Sequence, residues 1–149
     1  MNSKNLTLVV CLLIVATIPL LAGVPSISID IPAKPFDEAS RGASLLVHAR
    51  WCDPGFPNSV TGSAEGIVNG KHQTLQLRLI PTSQEGVYAV NQQWPSEGAW
   101  VLTITVNEHM AISSVVTLGK NGSATGASVQ TLTRKATDAD VAAALKTIL

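Results

Sequence analysis

The sequence predicts an all-β fold, an immunoglobulin-like antiparallel β-sandwich with a short C-terminal α-helix. Three observations carry this expectation. Apolar residues recur at every second position from Ser44 onward, the pattern of strands buried on one face. Gly, Pro and Asn turns divide the chain into about six or seven such runs, with no helical stretch between them to serve as a crossover. Only beyond residue 135 do the apolar spacings change to four and three. A chain of 149 residues is enough for one domain with a substantial core.

The N-terminus comes first. From Leu6 to Ala22 nothing is charged, and Lys4 is the only cation before that run. A basic start, a short apolar run and the small residues Ala22 and Gly23 predict a secretory signal peptide over residues 1–23, hence a periplasmic or secreted protein. The run is short for a bilayer span and contains Pro19, so membrane association is expected only through an uncleaved leader. Cys11 lies deep in the run behind Val10, away from any lipid-acylation position. Residues 24–42 read as an extended N-terminal segment broken by Pro25, Pro32 and Pro35. Within it Ile27, Ile29 and Ile31 alternate as an edge strand would.

The sandwich is expected over residues 43–134. Ala43, Leu45, Val47, Ala49 and Trp51 share one face, and Ser44, Leu46, His48, Arg50 and Cys52 share the other; the first set makes the better core face. Val68-Asn69-Gly70-Lys71 supplies the two positive-φ residues of a type I′ hairpin. Leu75, Leu77 and Leu79 then alternate up to Pro81. A strand follows from Val87 to Gln93, then a turn over Pro95–Gly98. The next strand turns Trp100, Leu102, Ile104 and Val106 inward, and another does so with Met110, Ile112, Val116 and Leu118. The Gly-rich stretch 119–126 breaks the pattern before a last strand at Ser128–Thr133. Over residues 135–149 Thr137 or Asp138 caps a helix that presents Val141, Leu145 and Ile148. So short a helix needs the sandwich to dock on.

The rhythm Glu85-Gly86-Val87-Tyr88, Trp94-Pro95, Glu97-Gly98-Ala99-Trp100-Val101-Leu102 resembles the Gly-x-Tyr … Gly-x-Trp hairpin of bacterial extracytoplasmic immunoglobulin-like domains of the YtkA/FixH type. The resemblance rests on residues 85–102. It implies an envelope-associated β-sandwich, linked in some relatives to copper handling or cytochrome oxidase maturation. The Met/His-rich metal loop of that setting is not evident in this sequence.

Several function classes are set aside by composition. Charged residues make up 13% of the chain, ten basic against ten acidic, so no face is basic enough for nucleic acid. Beyond the leader Cys52 is the one cysteine, which excludes a disulfide scaffold. There is no Gly-x-Ser-x-Gly elbow, His-Glu-x-x-His, phosphate loop or Cys-x-x-Cys pair. The expectation is therefore a protein that is not an enzyme and needs no cofactor.

That leaves a binding or interaction module acting on a protein or glycan partner outside the cytoplasm, through loops 53–61, 81–86 and 94–99. Trp94, Phe56 and Trp51 are its candidate anchors, since an exposed Trp at a sandwich end grips a partner or a sugar ring. The alternative is a periplasmic copper or zinc protein using Cys52 with His48, His72 and His109, provided they converge from different strands. His48 and Cys52 alone do not suffice, because four residues of strand span about 13 Å. A third reading, a structural subunit of an envelope assembly, requires an unpaired edge strand at 27–31 or 128–133.

Overall fold

The computed structural model describes residues 25–50, 59–107 and 111–149. The expected leader, Trp51, Cys52, Phe56, His109 and Met110 lie outside the described residues. Among the described residues nine strands form two antiparallel sheets packed face to face, followed by one α-helix. The strands are β1 (Ser26–Asp30), β2 (Leu45–Arg50), β3 (Val60–Val68), β4 (Lys71–Gln76), β5 (Ile80–Pro81), β6 (Val87–Val90), β7 (Ala99–Val106), β8 (Ile112–Thr117) and β9 (Ser128–Leu132). The helix α1 spans Asp138–Lys146. One sheet runs β1-β2-β6-β5 and the other β4-β3-β7-β8-β9. Among the described residues no helix is long and apolar enough to cross a membrane.

The period of two places the core. Leu45, Val47 and Ala49 of β2 face Trp100, Leu102, Ile104 and Val106 of β7 and Ile112, Val116 and Leu118 of the β8 segment, all in one cluster. The expected type I′ turn is present, with Asn69 at φ 50° and Gly70 at φ 75°, and it sets the β3–β4 register at Val68↔Lys71.

Three details depart from the sequence reading. The Leu75–Pro81 run is not one strand. It leaves the second sheet after Gln76 and joins the first as β5, paired with β6. The Gln93 side chain spans the crossing, accepting from the Arg78 N–H at 2.8 Å and donating to the Arg78 carbonyl at 2.9 Å. Residues 85–102 do not form a hairpin either. Tyr88 lies on β6 in the first sheet and Trp100 on β7 in the second. Leu46, assigned to the outward face, is nevertheless buried, in a cluster with Val87 and Ala89.

The chain covers both outer faces in part. Over Leu46, Val87 and Ala89 the segment between β1 and β2 brings Ala33 and Ala43. That segment is tied down by Ser40, whose buried Oγ accepts from the Phe36 and Asp37 N–H groups at 2.9 Å. Asp37 accepts from Ser83 N–H at 2.6 Å and from Ser40 N–H at 2.8 Å. The Ser83 bond first, and then Ser40, hold the Asp37 carboxyl well below the usual carboxylate range. On the other side α1 lays Val141 and Leu145 on Val101 and Val115. Burying each stabilises the docked helix by about 1.5–3 kcal/mol. Thr137 caps the helix in a reciprocal capping box with Asp140. Asp140 also takes a forked pair of bonds from Arg134, at 2.6 and 2.8 Å, and chiefly for that reason its pKa is lowered and that of Arg134 raised.

Candidate functional site: a transverse groove

Trp94 is not an exposed anchor. It is only 3% exposed and belongs to the main core, and its indole N–H donates to the Gly122 carbonyl at 2.8 Å. The turn at Pro95 turns the chain back without lifting the ring off the core. The two described loops of the expected binding surface do not meet either. Residues 82–86 enter β6 and residues 91–98 leave it, which puts them at opposite ends of the sandwich.

The described histidines are also apart. His48 alternates with the core residues Val47 and Ala49, so it lies on the outer face of the first sheet, where its Nε2 is 3.0 Å from Asp30 Oδ2. His72 sits opposite Ile67 on the outer face of the second sheet, with Nε2 3.2 Å from Glu65 Oε2. Sheets stack about 10 Å apart, so side chains on opposite outer faces cannot share an ion held by bonds of about 2 Å. The four-ligand convergence is overturned for this pair; Cys52 and His109 lie outside the described residues. Among the described residues no three His, Cys, Asp or Glu side chains are grouped to hold a metal.

A groove of about 1380 Å³ lies at one end of the second sheet. Ile67, Ala99, Thr117 and Ser128 contribute to it, one each from β3, β7, β8 and β9. Ile67 pairs with Ala99 and Thr117 with Ser128, so the groove runs across the strands. Three strand spacings make a span of about 14 Å, the length of about four extended residues. Thr147 and Ile148, just past α1, line it, as does the loop 119–126 with Lys120, Asn121, Ser123 and Thr125. The hairpin tip Gly70 and the turn residue Gly98 complete it.

The loop is shaped from beneath. Gly119 N–H bonds to the Ser123 carbonyl at 2.9 Å, and Ser123 Oγ accepts from Thr125 N–H at 3.0 Å. Trp94, through Gly122, fixes the loop to the sandwich. The tryptophan singled out by the sequence therefore supports this wall instead of touching a partner. Among the lining side chains Lys120 is the one that carries a charge. The rest are hydroxyls, an amide, backbone and aliphatic groups. This lining can donate and accept hydrogen bonds and bury aliphatic surface, but it holds no acid–base pair. A second, polar cleft lies beside the start of α1. At about 180 Å³ it is below the size of ordinary ligand sites.

Sequence reasoning took 119–126 only as a break in the pattern. The available signal was three glycines spaced among Asn121, Ser123 and Thr125. Comparison of the chain with protein-family models, characterised proteins and solved structures finds no match.

Proposed function

We propose that this protein is a non-enzymatic, exported binding module of immunoglobulin-like build, and that the transverse groove is its recognition surface. The observation that carries the reading is the size and chemistry of the groove. About 1380 Å³ exceeds the usual 300–1,000 Å³ of small-molecule pockets, which suits a chain-like partner such as a peptide segment or a glycan. A lining of hydroxyls, backbone amides and aliphatic groups with one lysine suits recognition without chemistry. The immunoglobulin-like assignment draws support from the strand order, with the first, second, sixth and fifth strands in one sheet and the third, seventh and eighth adjacent in the other. Export draws its support from the composition of residues 1–23.

Ligand-observed NMR against a set of short synthetic peptides and oligosaccharides tests the reading. Thr125→Trp, which fills the groove from an exposed loop position, is the control. Binding by the wild type that disappears in Thr125→Trp supports the groove. Binding undiminished by that change, or chemical turnover of any member of the set, overturns it.

A further inference from the structure

Among the described residues four strands lie at sheet edges, and three of them carry features that discourage pairing with another chain. β5 is two residues long and contains Pro81. β1 ends on Asp30 and is flanked by Pro25 and Pro32. β4 begins Lys71-His72. Charges, prolines and shortness are the usual means by which a sheet edge is kept from extending itself. β9 has none of them. Its sequence Ser-Val-Gln-Thr-Leu is uncharged and free of proline over five residues, and among the described residues it is hydrogen-bonded along one side only, to β8.

Val129 adds an independent observation. It pairs with the core residue Val116 and so points to the inner side of the sheet, yet it is 40% exposed. The second sheet has five strands against four in the first, and Val129 sits on the strand that overhangs.

We propose that β9 pairs antiparallel with β9 of a second copy of this chain, joining the two five-stranded sheets into one of ten strands. The strand is self-complementary. With a two-fold axis at Gln130, Gln130 faces Gln130, Val129 faces Thr131 and Ser128 faces Leu132, and no like charges are opposed. Arg134 falls opposite Gly126 and is already paired with Asp140. The two overhanging valines lie on the same face, beside one another's strands, and cover each other. The contact is a single five-residue strand pair, at the small end of specific interfaces, so the dimer is weak and concentration-dependent. It depends on the backbone edge and not on the groove.

Sedimentation velocity of the full chain over a concentration series tests this, with Gln130→Lys, Gln130→Glu and their equimolar mixture. Gln130 is exposed in the single chain, so neither change disturbs the fold. Each variant alone sets like charges directly opposite and weakens dimerisation by about fivefold, and the mixture restores it. A wild type that stays monomeric throughout, or association in Gln130→Lys equal to wild type, overturns the proposal. The paired edge adjoins the groove at Ser128, but Gln130 is not part of the groove lining, so loss of dimerisation in Gln130→Lys and loss of ligand binding in Thr125→Trp are read separately, and failure here leaves groove binding intact.

Discussion

Replacing Trp94 with Phe removes one hydrogen-bond donor and part of one ring while keeping an aromatic in the core. The donor is the indole N–H that the buried Gly122 carbonyl accepts at 2.8 Å. Leaving that carbonyl without a partner costs about 1–3 kcal/mol. The smaller ring leaves a void of roughly 40 Å³, worth about 1 kcal/mol more. The expected loss of about 2–4 kcal/mol moves a urea midpoint down by about 1–2 M, given a slope near 2 kcal/mol/M. Hydrogen exchange separates the two contributions. If Trp94 anchors the groove loop, the Gly119 and Ser123 amides, which bond within it, exchange faster in the variant than global unfolding explains. A midpoint displaced by less than about 0.3 M would refute the energetic argument. A full displacement with loop exchange tracking global stability would make Trp94 a core residue and nothing more.

Gly66→Ala places a Cβ in steric overlap with the Trp100 indole and 2.8 Å from the Ala99 carbonyl oxygen, so chemical denaturation should show a loss of about 1–3 kcal/mol from overpacking. Ser113→Ala removes the buried hydroxyl that accepts from Ala136 N–H at 3.0 Å and pairs with Thr105 at 2.9 Å; a loss of about 1–3 kcal/mol is expected, with exchange in α1 the first to accelerate. Asp37 and Asp140 have folded-state pKa values lowered from the ordinary one, so their stabilisation is complete above about pH 4 and is lost as pH falls further. The urea midpoints of wild type and Asp37→Asn should therefore converge on acidification, and a gap independent of pH would contradict the assignment. In zinc and copper titrations His48→Ala and His72→Ala should act independently, since the side chains lie on opposite outer faces; a single tight site abolished by either change would contradict this geometry.

What the sequence disclosed follows from how local each signal is. Strand alternation, the Asn69-Gly70 turn and the Thr137 cap are set by neighbours a few residues away, and the structure matches them. Which strands share a sheet is a long-range matter. Alternation continues unbroken from Leu75 to Leu79, so the move between sheets left no mark in the pattern, and its one polar consequence, the Gln93 bridge, joins residues fifteen apart. Trp94 misled for a related reason. A Trp before Pro reads as the mouth of a turn, whereas its burial depends on a carbonyl twenty-eight residues onward. Beyond the glycines of 119–126 the groove left no mark in the sequence, because the rest of its lining is assembled from four strands, two turns and the segment after a helix.

Burial itself argues for the groove as the working surface. A sandwich must bury its inner faces, but this one also carries apolar residues on its outer faces. Leu46, Val87 and Ala89 are covered by the segment between β1 and β2, and Val101 and Val115 by α1. Each cover is fixed by its own polar ties, Asp37 to Ser83 in one case and Ser113 to Ala136 in the other. At the groove this self-covering stops. Ile67, Ala99 and Ile148 remain half-buried along it, while the loop beside them is tied to Trp94 from below. A partner that laid aliphatic groups on those residues and met the loop's hydroxyls and amides would complete there what the chain does for itself elsewhere.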